Sequence, residues 1–174
     1  MTMDHSEFTQ AELFKAFKTN PIHWLAMGFG TGLAPKAPGT FGTLATLPLL
    51  VLTASQNFSI KLIILVVISL LGIWICGQSA KALGAHDHGS IVWDEIAGFY
   101  LTMLFVGWNW KTVLVGFALF RFFDIIKPWP IKYLDQHVHG GLGIMLDDLI
   151  AGVFAGLILL LLTSSESLGS LFAV

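Results

Sequence analysis

Asp147 and Asp148 stand side by side near the start of "MLDDLIAGVFAGLILLLL", an apolar run long enough to cross a bilayer. A charged side chain in hydrocarbon costs about 3 kcal/mol or more, so an acid pair there needs a partner or a task. Two other acidic positions have similar settings. Asp94 and Glu95 lie in "IVWDEIAGFY", and Asp124 lies in "RFFDIIKPWP", one helical turn after Arg121. Five carboxylates gathered together repel one another, and a hard divalent cation relieves that repulsion. Magnesium is held this way, through a few carboxylates, waters and the phosphate oxygens of a substrate. Three basic residues flank these acids: Arg121, Lys127 and Lys36. An arginine fork meets two phosphate oxygens at once. Cation, phosphate and membrane together point to chemistry on a phospholipid head group.

Each feature also has a plainer explanation. Asp94 and Glu95 suit the positive end of a helix dipole. Arg121 and Asp124, three residues apart, suit an ion pair on one helix face. Asp147 and Asp148 suit a solvated helix start. All three on one membrane face are harder to explain as coincidence. The Gly/Pro-rich stretch "GFGTGLAPKAPGTFGT" (28–43) reads as a long loop on that face. Long loops in small proteins are often functional, and glycine backbone can approach and cradle phosphate. Gly39, Thr40 and Lys36 are its candidate phosphate contacts. The stretch is neither a dinucleotide fingerprint nor a P-loop, because it lacks the βαβ context and the Lys-Ser/Thr pair. Among the histidines of "HDH" (86–88) and "HVH" (137–139), His139 is the candidate for the site, being close in sequence to Asp147. Alternate histidines also suit a transition metal, a weaker reading here. Asp135 lies outside these motifs and reads as a surface acid.

The elements that position these residues are helical. Apolar runs at about 41–55, 62–76, 91–106, 110–123 and 144–162 predict a multi-pass helical membrane bundle of about four to five spans. The second and fifth are long enough for a hydrocarbon core of roughly 30 Å; the others are short, and the first is either a span or re-entrant. Ahead of them, "FTQAELFKAFKT" (8–19) predicts an amphipathic helix capped by Thr9 with Glu12 as capping-box partner, and Phe8 and Leu13 as a staple. Such a helix rests on a membrane surface or packs on the protein. Asn20-Pro21 predicts the cap and first position of a second short helix.

Charge sets the orientation. With the N-terminus inside and five crossings, Lys15, Lys18, Lys36, Lys81, Arg121, Lys127 and Lys132 lie on the cytoplasmic side, against Lys61 and Lys111 outside. That bias satisfies the positive-inside rule. It places the acids, Arg121, Lys127 and the glycine-rich loop together on the cytoplasmic face.

Composition agrees with a membrane protein. The 174 residues are 55% hydrophobic and only 11% charged, with a net charge of -2. Mean hydropathy is +0.78. Soluble domains carry about 25% charged residues. The length suits one domain over 1–174: an interfacial segment (1–27), a membrane core (28–162) and a tail (163–174). No basic patch suggests nucleic acid. Cys76, the single cysteine, has no partner for an internal disulfide and reads as a small core residue. The acidic start "MTMDHSEFTQ" does not read as a cleavable signal peptide.

Four stretches, "LAPKAPGTFGTLATLPL", "IVWDEIAG", "RFFDIIKPWPI" and "HVHGGLGIMLDDLIAG", resemble the phosphatidylglycerophosphatase A family of the bacterial inner membrane, in the same order. The resemblance covers about residues 20–162. It implies a helical, multi-pass, magnesium-dependent phosphatase with its site facing the cytoplasm. Such an enzyme converts phosphatidylglycerophosphate to phosphatidylglycerol and inorganic phosphate, a step in phospholipid biosynthesis. The family's acidic motif positions map onto Asp94, Glu95, Asp124, Asp147 and Asp148, and its basic ones onto Lys36, Arg121 and Lys127. Glu95, Asp124, Asp147 and Asp148 are the expected Mg2+ ligands. Asp94, Glu95, Asp124, Asp148 and His139 are the expected catalytic groups. A small transporter or ion channel with a cytoplasmic-face ion site is the competing reading, and a membrane scaffold a weaker one. Clustering of the acids at one face, instead of along a pore, separates the enzyme from the channel.

Overall fold

The computed structural model describes residues 9–85, 88–165 and Phe172, and within these the chain is helical with no strand. Helix α1 (Gln10–Thr19) starts at Thr9, whose hydroxyl accepts from the Glu12 N–H while the Glu12 carboxylate accepts from the Thr9 N–H, the expected capping box. Phe8, the other half of the expected staple, lies outside the described residues. Leu13 is buried and packs with Phe17 against the core, so α1 lies on the protein through that face. Helix α2 (Pro21–Ala26) begins as expected, with Asn20 as cap and Pro21 at its first turn.

The glycine-rich stretch is less of a loop than its composition predicts. A 3-10 segment spans Gly28–Leu33. After a bend at 34–37, helix α3 (Pro38–Ala45) already includes Gly39, Thr40 and Gly42. Pro38 at its first turn explains the start, since proline's fixed φ suits that position and its missing N–H costs nothing there. Helix α4 (Leu47–Thr53) follows after a break at Thr46, with Pro48 in its first turn.

Helices α5 (Phe58–Ala82) and α9 (Gly140–Ser164) have 25 residues each and are, among the described residues, the two long and apolar enough to cross a membrane. At 1.5 Å per residue each reaches about 37 Å. On α5, Ile63, Val67, Leu70 and Trp74 are each more than half exposed, and on α9 Leu161 is 71% exposed. A helix at the centre of a soluble protein would bury such residues; these faces suit lipid. Between them come α6 (Trp93–Thr102), α7 (Trp110–Ile126, capped by Asn109) and the short α8 (Ile131–His137). Helix α6, about 15 Å long, and α7, about 25 Å long, fall short of the hydrocarbon thickness. The expected four to five crossings therefore rest on two full-length helices and three shorter elements.

Close crossings set the arrangement. A Cβ on Gly141 would lie 1.8 Å from the Ile73 carbonyl oxygen, and one on Gly72 would lie 2.5 Å from the Met145 sulfur. Thus α5 and α9 run antiparallel with backbones nearly touching. A Cβ on Gly98 would meet the Asp148 carbonyl at 2.7 Å, and one on Gly152 the Gly98 carbonyl at 2.4 Å. Thus α6 runs parallel to α9 at the same close range. A Cβ on Gly116 of α7 would meet Met103 and Leu159 at 2.9 and 3.0 Å, bringing α7 back antiparallel to both. Small residues let helices approach closely where lipid supplies no hydrophobic drive. Cys76 is fully buried in the core beside Ile75 and Ala80, as expected.

Candidate active site

Three helix segments bring the acids together. Asp94 and Glu95 occupy the first turn of α6, Arg121 and Asp124 the last turns of α7, and Asp147 and Asp148 the second and third turns of α9. The close α6–α9 crossing makes the meeting possible, since Gly98 lies one turn beyond Asp94 and packs on the Asp148 carbonyl. One oxygen each from Asp94, Glu95 and Asp148 falls within 4.8 Å of the others. Asp124 and Asp147 act on Asp148 as neighbouring charges.

Arg121 links the two sides. Its Nη1 donates to Asp124 Oδ2 and lies 3.7 Å from Glu95 Oε1. The ion pair with Asp124 thus exists, but the same guanidinium also faces the α6 acids. Its Nε is buried with no hydrogen-bond partner. Gly39 closes this side: a Cβ there would sit 2.2 Å from Glu95 Oε1 and 2.9 Å from Arg121 Nη1. Only a glycine lets α3 reach the guanidinium and carboxylate together, and Thr40 follows it, half-buried.

Lys127 is committed to carboxylates. Its Nζ donates to Asp147 Oδ2 at 2.5 Å and to Asp135 Oδ1 at 2.6 Å. Burial works against the charge, but the hydrogen bonds and charges of Asp135 and Asp147 outweigh it and hold the ammonium proton well above the ordinary lysine range. Asp135 is the residue sequence reasoning missed. It belongs to α8, an element the apolar runs do not reveal, and its signal was its spacing of eight residues from Lys127 across the turn at "KPWP".

Two expected contacts stay apart from this cluster. Lys36 is exposed on the bend before α3 and makes no ion pair or hydrogen bond among the described residues. His139 is exposed at the N-cap of α9, eight residues before Asp147, or about 12 Å along the axis. Closeness in sequence misled here, because a helix turns eight residues into two full turns of separation.

The cluster is recessed below the helix ends. Asp147 is about 11 Å along α9 from Gly140. Trp93, which opens α6, donates its indole N–H to the carbonyl of Ile68, near the middle of α5. Helix α2 packs on the C-terminal part of α5, with His23 Nδ1 2.7 Å from Ser79 Oγ. Asp94, Asp147 and Asp148 are buried, and α3 covers Glu95 and Arg121 at Gly39, so the acids lie inside the protein, not flush with its end.

The residues present fit a hard divalent cation. The donor set is all oxygen, and Glu95 Oε2 and Asp148 Oδ2 are buried with no hydrogen-bond partner. Buried carboxylate oxygens without partners are costly unless something satisfies them. Oxygen ligands of this kind suit magnesium.

Similarity to known proteins extends over most of the chain. The sequence profile of the family described as phosphatidylglycerophosphatase A matches residues 24–163. The chain is 44% identical over 154 residues to the phosphatidylglycerophosphatase A of Escherichia coli, covering 88% of this chain and 90% of that protein. It is 46% identical over 138 residues to the protein of the same name from Haemophilus influenzae, covering 78% and 85%. No solved structure matches the chain.

Proposed function

The chain belongs to the phosphatidylglycerophosphatase A family and is a phosphatase, and on that premise we propose that it hydrolyses the terminal phosphomonoester of phosphatidylglycerophosphate with the help of Mg2+. Water adds to phosphorus, the bond from phosphorus to the glycerol oxygen breaks, and phosphatidylglycerol and inorganic phosphate leave. The observation that carries the reading is the meeting of Asp94, Glu95 and Asp148 oxygens within 4.8 Å in a membrane protein of this family.

Glu95 and Asp148 would hold the cation, with Asp94 beside them and Asp124 and Asp147 completing the negative wall. The bound cation would offset carboxylate charge and draw electron density from the phosphoryl oxygens. Arg121 meets the terminal phosphate: its planar fork is already fixed by Asp124 and Glu95, and a phosphate oxygen would satisfy its partnerless Nε. Gly39 keeps that approach open, and Thr40 supplies a hydroxyl beside it. The attacking water gives its proton to a carboxylate of the cluster, for His139 is two turns away. Lys36, on its exposed bend, draws the anionic head group toward the site. Lys81 at the end of α5 and Lys127 at the end of α7 support a site that faces the cytoplasmic side of a bacterial inner membrane.

Purified protein in detergent micelles tests the reading by phosphate release. Phosphatidylglycerophosphate should release phosphate, and phosphatidylglycerol, whose phosphate is a diester, should release none. Release from neither lipid under any divalent metal contradicts the assignment.

A further inference from the structure

Lys127 is the cap residue that follows α7 and adopts φ 44°, ψ 59°, the left-handed region. A glycine normally fills such a position; a side chain there costs about 1 kcal/mol or more. The lysine is kept where its ammonium can bridge Asp147 in the acid cluster and Asp135 on α8. The two carboxylates differ sharply in setting. The Asp147 side chain is 6% exposed and the Asp135 side chain 37%. Helix α8 is fastened by Ile131, fully buried, so Asp135 offers a fixed outer anchor.

We propose that Asp135 is a positioning residue for the phosphatase site: it tethers Lys127 at the outer side of Asp147 and so keeps the ammonium from competing with the catalytic cation. The inference rests on the cation reading of the cluster. A lysine ammonium is a compact point charge on a flexible four-carbon stem. Held by one carboxylate alone, it can swing over Asp147 toward Asp148, the next residue and a proposed cation ligand. Held by two, it stays beside Asp147 Oδ2. Asp135 thus acts on cation affinity through Lys127 and touches neither cation nor substrate. A plain surface ion pair would be worth about 1 kcal/mol at most and would leave metal binding alone.

The test uses full-length protein in detergent, with Mg2+ alone as the probe. The Mg2+ concentration that half-completes the rise in melting temperature measures binding without turnover, and the half-saturating Mg2+ for phosphate release is measured beside it. Asp135→Asn should raise both on the order of tenfold, the factor given by about 1.4 kcal/mol. Turnover at saturating Mg2+ should stay within about twofold. Asp135→Glu, which keeps the charge, should stay close to wild type. Adding Lys127→Gln to Asp135→Asn should bring the thermal midpoint for Mg2+ back down, because the untethered charge is gone. Asp135→Asn with an unchanged Mg2+ midpoint overturns the proposal while leaving the cation reading intact, whether or not melting temperature falls. A double variant that binds Mg2+ no better than Asp135→Asn also overturns it. Absence of any Mg2+ response in the wild type overturns the cation reading and this proposal together. Should Asp135→Asn fail to accumulate, Asp135→Ser is read by the same criteria.

Discussion

Arg121 shows how one residue can satisfy a plain and a functional explanation together. The guanidinium pairs with Asp124 within α7, as the spacing of three suggests, and also faces Glu95 across the site. If it only braces the two helices, Arg121→Lys should lower the melting temperature and leave turnover near normal. If it meets phosphate, the loss of the planar fork should lower turnover about tenfold or more, the effect of losing one charge-assisted contact of about 1.5–3 kcal/mol. We expect the second result, with melting temperature and phosphate release measured on the same preparation. The five acids and Arg121 were legible in the sequence because charges in apolar runs are expensive and so mark themselves. Asp135 was not legible, because a half-exposed acid in a polar stretch looks like any surface residue until Lys127 is seen to bridge it. His139 was misplaced for a different reason: its distance from Asp147 is set by helix rise, which sequence proximity conceals.

At the scale of elements, the site depends on how closely α6 lies on α9. Gly98 and Gly152 face each other, and a Cβ on Gly152 would stand 2.4 Å from the Gly98 carbonyl oxygen, an atom of rigid backbone. Gly152→Ala should therefore push α6 away from α9. Overpacking of this kind typically costs about 1–3 kcal/mol. The same displacement should separate Glu95 from Asp148, which sit on the two helices. The expected outcome is a lower melting temperature together with a loss of phosphate release greater than tenfold, even though Gly152 touches no substrate. Alanine at Gly107, where a Cβ meets nothing within 4 Å, is the control and should leave both measurements nearly unchanged. Hydropathy revealed α5 and α9 because each is a long apolar run. It overstated the stretch at 91–106, where α6 ends at Thr102. It also concealed the start of α3 at Pro38 within a glycine-rich stretch that looks like loop.

The whole molecule combines a lipid-facing belt with a recessed polar centre. Long α5 and α9 present apolar surface outward, while shorter α6 and α7 turn the charged residues of their first and last turns toward the interior. Their shortness has a use here: a short helix can place its first or last turn, with acids on it, against the middle of a spanning neighbour. Lys81 lies in the last turn of α5, at the opposite end from Lys61, which lines a small cavity with Trp108. The all-helical, lipid-facing architecture was legible in composition; the depth of the acids was not, because it follows from where α6 crosses α5 and α9. The account's central claim is that this buried acid centre works by holding a divalent cation. The direct measurement is phosphate release from phosphatidylglycerophosphate by purified protein, first stripped with a chelator and then titrated with Mg2+, for the wild type and Asp148→Asn. The account predicts no release after stripping, recovery of the wild type with Mg2+, and little recovery of Asp148→Asn at any Mg2+ concentration. Full activity of the stripped wild type, or an Asp148→Asn protein that recovers like the wild type, would contradict it.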